Sequence, residues 1–120
     1  MILLSCNGEN RIIDSGSRDN YCIIWSHSDI QPRDFSDRES YETAVQDIID
    51  NIPKPDIAIV AGDIVHQKDS AEDFKWFLKT RERAEIKEWY EITGNHDMKD
   101  YKNYMKYINK PPYYSVTRGN

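Results

Sequence analysis

Three short apolar segments of this sequence each end in a polar tip, and this recurrence constrains the fold more than any other feature. The first covers residues 21–25 and leads to Asp29, and the second covers residues 57–61 and leads to Gly62-Asp63. The third ends in Gly94-Asn95-His96-Asp97. Because parallel strands of an α/β sheet open with their carboxyl ends onto one crevice, the three tips are expected to meet in one ligand site.

The segments between these predicted strands have the pattern of helices. One helix is predicted over residues 37–52, capped by Ser36 or Asp37, and a second follows the capping-box sequence at residues 70–73. A third is predicted over about 98–108, before a new extended run at 113–117. The side chains predicted to face inward are Ala44, Val45, Ile48, Ile49 and Ile52, then Phe74, Phe77 and Leu78, then Tyr101, Tyr104, Met105 and Ile108.

This alternation of strands and helices predicts an α/β fold with a mainly parallel sheet, flanking helices and right-handed crossovers. The first strand, a continuous apolar run, is predicted to be buried on both faces. The 120 residues suffice for one domain with a modest core. The mixed charges of residues 79–83 indicate an exposed helix face.

The charge balance argues against a broad nucleic-acid surface. The chain has 16 basic and 21 acidic residues, a net charge of -5, whereas such a surface needs a basic stripe. A nuclease would need a basic groove that the sequence does not show, and the tyrosines after residue 100 have the spacing of a helix packing face rather than of a base-stacking surface. The sequence has no apolar run near the roughly 18 residues of a membrane span.

The domain is predicted to occupy residues 21–120, after a tether or remnant signal segment at residues 1–20. Leu3-Leu4-Ser5-Cys6 resembles a bacterial lipobox, which makes Cys6 a candidate for lipid attachment. The apolar run is short and lacks a basic n-region, so this reading requires a start codon further upstream. The alternative is a short strand or disordered start. The localisation therefore stays open between the cytoplasm and a membrane-anchored lipoprotein.

The polar tips carry residue types that bind divalent cations. The carboxylate of Asp63 follows a glycine at a strand end and could bridge two hard cations. Asp29 and Gln31 stand two residues apart, so an extended segment would place both on one face. Taken singly, each of these residues is more simply explained by a capping or loop role.

The third tip adds groups suited to proton transfer. Asn95 could supply a neutral oxygen ligand, and His96 could donate a proton to a leaving group. Asp97 could fix the tautomer of that imidazole. In isolation the tetrapeptide could equally be a polar turn, but its position after an apolar strand strengthens the functional interpretation.

Together these segments resemble the calcineurin-like metallophosphoesterase family. The family pattern is Asp-x-His, Gly-Asp-x-x-Asp, Gly-Asn-His-Asp/Glu, then a lone His and Gly-His-x-His. Residues 28–31 match the first block with Gln31 in place of His, and residues 62–66 match the second with His66 in the last place. Residues 94–97 match the third block completely, and the resemblance spans about residues 21–117.

The resemblance implies two divalent metal ions, expected to be Mn, Fe, Zn or Ni, and a phosphate-ester substrate. Asp63 would bridge the two ions, Asp29 and Gln31 would hold the first, and Asn95 would hold the second. The implied reaction is hydrolysis of a phosphomonoester or phosphodiester by water that the two ions activate. His96, paired with Asp97, would act near the leaving group.

Two departures from the pattern qualify this expectation. Gln31 is a weaker ligand than imidazole, and no histidine follows His96, so the last two blocks are absent. The sequence is therefore interpreted as the first half of a two-sheet αββα sandwich, with open metal shells and weak or absent activity without the missing half. The alternative is a degenerate, non-catalytic remnant that binds metal or a partner.

The remaining histidines have weaker signals. His27 is expected to pack against or support the site rather than to be a ligand. His66 could contact substrate or Asp63, or it could lie in a solvated loop.

Overall fold

A computed structural model describes residues 2–6 and 22–118, with residues 2–6 described as a backbone strand. All strand pairs among these residues are parallel and form two sheets, one of β1 and β5 and one in the order β2-β3-β4. The elements in chain order are β1 Ile2–Cys6, β2 Ile24–His27, α1 Phe35–Asn51, β3 Ile57–Val60, α2 Ala71–Glu82, β4 Glu88–Glu91, a 3-10 helix Asp97–Asp100, α3 Tyr101–Tyr107 and β5 Tyr114–Arg118.

This architecture confirms the predicted fold class, an α/β fold with a parallel three-stranded sheet and flanking helices. At the N-terminus the structure shows a short strand, β1, which pairs with the predicted fourth strand, β5. Residues 7–20 of the predicted tether, Tyr21 of the predicted first strand and the side chain of Cys6 lie outside the described part of the chain. In the part that is described, no helix has the length and apolar character needed to cross a membrane.

Strand β2 lies at the edge of its sheet, and the prediction that it is buried on both faces was wrong, because one face is exposed. Ile24 is 42% exposed and Ser26 is exposed, whereas Trp25 and His27 point to the covered face. In the register of the sheet Trp25 lies beside Ala58, and Ala58 lies beside Trp89. These rows form the base on which α1 and α2 pack.

Helix α1 starts earlier than predicted. Asp34, not Ser36 or Asp37, is its N-cap and accepts a 3.1 Å hydrogen bond from the backbone N–H of Asp37. The carboxylate of Asp37 is already engaged by Arg33, at 2.8 Å. The buried face of the helix is narrower than predicted and is formed by Tyr41 and Val45. Of the predicted stripe, Ala44 is exposed, and so are Ile49 and Ile52.

Helix α2 begins where the capping-box sequence predicted, but no cap forms. The Ser70 hydroxyl donates to the carbonyl of Gln67, and the Ser70 backbone N–H donates to Asp100 at 2.8 Å. Phe74 and Phe77 are fully buried, as predicted.

A buried ionic cluster connects α2, β4 and the segment before β5. Glu91, at the end of β4, is fully buried and contacts the side chains of both Arg81 and Lys110. The Arg81 guanidinium also lies over the rings of Phe77 and Trp89, 5.5 and 5.2 Å from their centroids. The prediction of an exposed face at residues 79–83 is therefore wrong for Arg81, whose charge turns inward to meet a buried carboxylate.

Candidate functional site

The loops that follow β2 and β3 are joined by backbone hydrogen bonds. The N–H of Asp29 donates to the carbonyl of Gly62 at 3.2 Å, and the N–H of Gln31 donates to the carbonyl of Asp63 at 3.0 Å. Asp29 and Asp63 both have a φ of 56°, a left-handed conformation that turns each loop sharply at the strand end. The first two polar tips predicted from the sequence are therefore adjacent.

The third tip lies against the second. The carboxylate of Asp63 accepts a 2.9 Å hydrogen bond from the backbone N–H of His96. A Cβ atom at Gly94 would lie only 2.0 Å from Oδ1 of Asp63, so the close approach requires glycine at this position. A Cβ atom at Gly62, which has a φ of 93°, would lie 2.5 Å from the backbone nitrogen of Gly94. Asp63 thus occupies the middle of three converging loops.

Asp97 joins the second and third loops through their backbones. One carboxylate oxygen accepts from the N–H groups of Ile64 and Val65, at 2.9 and 3.1 Å, and the other accepts from Gly94 at 2.9 Å. The side chain is fully buried, and this burial raises its pKa, although the hydrogen bonds from the backbone act in the opposite direction. Asp97 was expected to orient His96, whereas its carboxylate accepts hydrogen bonds from backbone N–H groups. The local sequence does not indicate these partners.

The imidazole of His96 is oriented by His66. Nδ1 of His96 lies 2.5 Å from the backbone carbonyl oxygen of His66, and the two rings stack with centroids 5.3 Å apart. Since a carbonyl oxygen only accepts, Nδ1 of His96 is the donor in this contact, which leaves Nε2 as the nitrogen that can gain or lose a proton. His66 is half-buried at this site, and the loop residues that follow it, 67–69, are exposed.

A cavity of about 620 Å³ opens beside these loops, between β2 and α1. Asp29, Gln31 and His96 of the predicted site line it, whereas Asp63 and Asn95 are not part of its lining and Asn95 is exposed. The other lining residues are Trp25, His27, Ser28, Ile30, Arg33, Asp37, Ser40, Tyr41, Ala44 and His66.

His27 belongs to an aromatic wall of the cavity, in agreement with its expected packing role. Its ring stacks on Trp25 at 4.1 Å between centroids, and its Nε2 lies 3.1 Å from the Tyr41 hydroxyl. Burial lowers the pKa of His27 to about 4. Trp25 and Tyr41 were not among the predicted site residues, although the spacing of Trp25 and His27 by two residues would place both on one face of a strand.

Some buried polar atoms of the cavity lining have no hydrogen-bond partner in the described structure: Gln31 Oε1, His27 Nδ1 and His66 Nδ1. The amide oxygen of Gln31 can only accept, so it suits a cation. Asp29 and Asp63, whose loops are joined by backbone hydrogen bonds, carry carboxylates, and carboxylate and amide oxygens are the ligands that hard divalent ions prefer. Within residues 22–118, however, no three His, Cys, Asp or Glu side chains are grouped to hold a metal ion. These residues fit part of a metal site.

The comparisons with known proteins give one match. The family model described as calcineurin-like phosphoesterase matches residues 24–119, which include all three polar tips. No curated protein and no solved structure matches the chain.

Proposed function

We propose that this chain, which belongs to the calcineurin-like phosphoesterase family, takes part in the metal-dependent hydrolysis of a phosphomonoester or phosphodiester. The observation that carries the proposal is the central position of Asp63. It is hydrogen-bonded to the loop after β2 through its backbone carbonyl and to the loop after β4 through its carboxylate. A carboxylate in that position could bind cations together with ligands from the loop after β2 and from the loop after β4.

In this proposal Asp29 and Gln31 would hold a first divalent ion, Asn95 would hold a second, and Asp63 would be a ligand of both. Mn, Fe, Zn and Ni are the candidate ions. When bound, such ions supply Lewis-acid activation of the phosphate and of an attacking water. The buried, unpartnered amide oxygen of Gln31 and the contact between the loops of Asp29 and Asp63 support this assignment.

His96 is proposed as the proton donor near the leaving group. Its Nδ1 is fixed by the carbonyl of His66, so Nε2 is the nitrogen available to exchange a proton. Asp97 supports this geometry by holding Gly94 and the loop at Ile64 together, rather than by touching the imidazole. We therefore assign Asp97 a positioning role within the proposed catalytic group.

The ligand set needs completion from elsewhere. The sequence has three histidines, and two of them, His66 and His96, are oriented by their contact with each other. Further imidazole ligands would have to come from another polypeptide or from a longer form of this one. A non-catalytic remnant that binds metal or a partner is the second candidate, because within residues 22–118 no three His, Cys, Asp or Glu side chains are grouped and a catalytic metal shell would be incomplete.

The experiment that tests the proposal measures Mn²⁺ binding and hydrolysis together. Mn²⁺ affinity is measured by calorimetry, and turnover is followed with 4-nitrophenyl phosphate and bis(4-nitrophenyl) phosphate. Asp63→Asn should weaken Mn²⁺ binding at least tenfold and abolish any turnover while circular dichroism stays unchanged. Asp47→Asn, on the exposed face of α1, is the matched control. Mn²⁺ binding without turnover would favour the non-catalytic candidate, and unchanged Mn²⁺ binding in Asp63→Asn would overturn the shared-ligand assignment.

A further inference from the structure

We propose that the cavity between β2 and α1 binds a flat aromatic group, so that the chain prefers phosphate esters with an aromatic leaving group. The inference rests on the proposed function, because it names the class of substrate that the same site would take. It concerns the wall of the cavity that is formed by residues of β2 and α1 and contains none of the proposed metal ligands.

That wall consists of aromatic rings from two elements. Trp25 and His27 of β2 stack on each other, and Tyr41 of α1 faces Trp25 with centroids 6.4 Å apart and planes inclined by 13°. All three residues line the cavity. Aromatic surfaces favour a further ring in a stacked or edge-to-face arrangement, beyond the gain from burial alone. An aliphatic leaving group would gain free energy only from the burial of its apolar surface.

The aromatic wall and the proposed reactive groups belong to one cavity. Asp29, Gln31 and His96 line it together with Trp25 and Tyr41, so a ligand whose phosphate contacts the first group can place its organic part against the second. The volume of about 620 Å³ is within the range of roughly 300–1,000 Å³ that is usual for small-molecule sites. It therefore has room for a ring in addition to the phosphate.

The charges favour an uncharged leaving group over a second anionic one. Among the lining side chains the acidic ones are Asp29 and Asp37, and Arg33 is held by Asp37 in an ion pair at 2.8 Å. The Arg33 side chain is 70% exposed, and the two carboxylates of the lining outnumber its guanidinium, which disfavours a second phosphate or carboxylate.

The test compares two ligands that carry the same phosphate. Phenyl phosphate and ethyl phosphate are titrated into the full chain in the presence of Mn²⁺, and binding is followed by calorimetry and by tryptophan fluorescence. We expect phenyl phosphate to bind about tenfold more tightly. Ala44→Phe, at an exposed position of α1 that lines the cavity, should fill the space and remove most of that preference.

Trp25→Leu should reduce the preference for phenyl phosphate over ethyl phosphate at least fivefold, because the affinity for phenyl phosphate falls by more than the affinity for ethyl phosphate. Tyr107→Leu is the matched control, because Tyr107 is also half-buried but stacks on Phe74 and is not part of the cavity lining. Equal affinities for the two ligands would overturn the inference, even if both bind in an Mn²⁺-dependent way as the proposed function requires. A preference for phenyl phosphate without hydrolysis would support the inference while removing the enzymatic function.

Discussion

Asp97 and Ile64 stand 33 residues apart in the sequence, and a 2.9 Å hydrogen bond joins the carboxylate of one to the backbone N–H of the other. This contact holds the loop after β3 against the loop after β4. The candidate site is thus assembled by a buried carboxylate that binds amides rather than a cation, and its stability depends on that carboxylate.

Asp97→Asn should destabilise the chain by about 2 kcal/mol. The amide would keep one acceptor oxygen for Ile64 and Val65 but turn an NH₂ group toward the N–H of Gly94, which leaves two buried donors face to face. Urea unfolding measures the loss. Asp47→Asn, at an exposed position, should change the free energy of unfolding by less than about 0.5 kcal/mol. Equal effects of the two substitutions would contradict the role given to Asp97.

Gly94→Ala should damage the site more than the fold. The new methyl group would lie 2.0 Å from Oδ1 of Asp63, so this carboxylate must move. We expect the affinity for Mn²⁺ to fall at least tenfold and the melting temperature to fall by several degrees. Calorimetry and thermal unfolding check the two effects separately. Undiminished Mn²⁺ binding would show that the position of Asp63 is not critical.

Glu91→Gln should destabilise the chain by about 3 kcal/mol, because it leaves the charges of Arg81 and Lys110 without their buried partner. Glu85→Gln removes an exposed ion pair with Lys54 and should cost no more than about 0.5 kcal/mol. Chemical denaturation of both variants provides the comparison. A small effect at Glu91 would mean that the cluster adds little to stability.

His96→Ala should reduce turnover more than metal content. The imidazole is held by the carbonyl of His66 and stacks on its ring, an arrangement that suits proton transfer at Nε2. Turnover with 4-nitrophenyl phosphate, a good leaving group, should suffer less than turnover with phenyl phosphate. If Mn²⁺ is lost from the variant in calorimetry, His96 would instead be a ligand.

Acidification should destabilise the chain through His27. Burial lowers its folded pKa to about 4, below its ordinary 6.5, so the unfolded chain binds more protons between these values. Stability is therefore constant above pH 6.5 and falls as the pH drops through this window, by about 2 kcal/mol between pH 7 and pH 5. Urea unfolding at the two pH values measures it. His27→Gln should lose most of this dependence, and an unaltered slope would assign it to other groups.

Much of the fold could be predicted because its signals are local. The runs at residues 57–61 and 113–117, the prolines after the first helix and the inward Phe74 and Phe77 gave the element order. Element boundaries were less predictable. The start of α1 depends on whether Asp34 or Asp37 is free to cap, and the ion pair of Asp37 with Arg33 decides this.

The site was predictable as a meeting of strand ends but not in its internal contacts. Nothing near Asp97 in the sequence indicates that its partners are Ile64 and Val65. Likewise, a carbonyl at His66 that orients His96 is a backbone group and has no sequence signature. The residue types at the polar tips predicted the kind of chemistry of the site. Which side chain contacts which backbone group depends on the distances between the loops, and these are seen only in the structure.

The pairing of β1 with β5 sets the order in which the chain can fold. Ile2 pairs with Tyr114, so almost the whole chain must be closed into a loop, whereas Ile24 pairs with Ile57 across a far shorter one. The longer closure costs about 1 kcal/mol more in chain entropy. Parallel pairing of such distant segments is also slow, so the three-stranded sheet is expected to form before β5 pairs with β1. During that interval a β1 strand from a neighbouring molecule can pair with β5 equally well, and domain-swapped dimers are the expected by-product of refolding at high concentration.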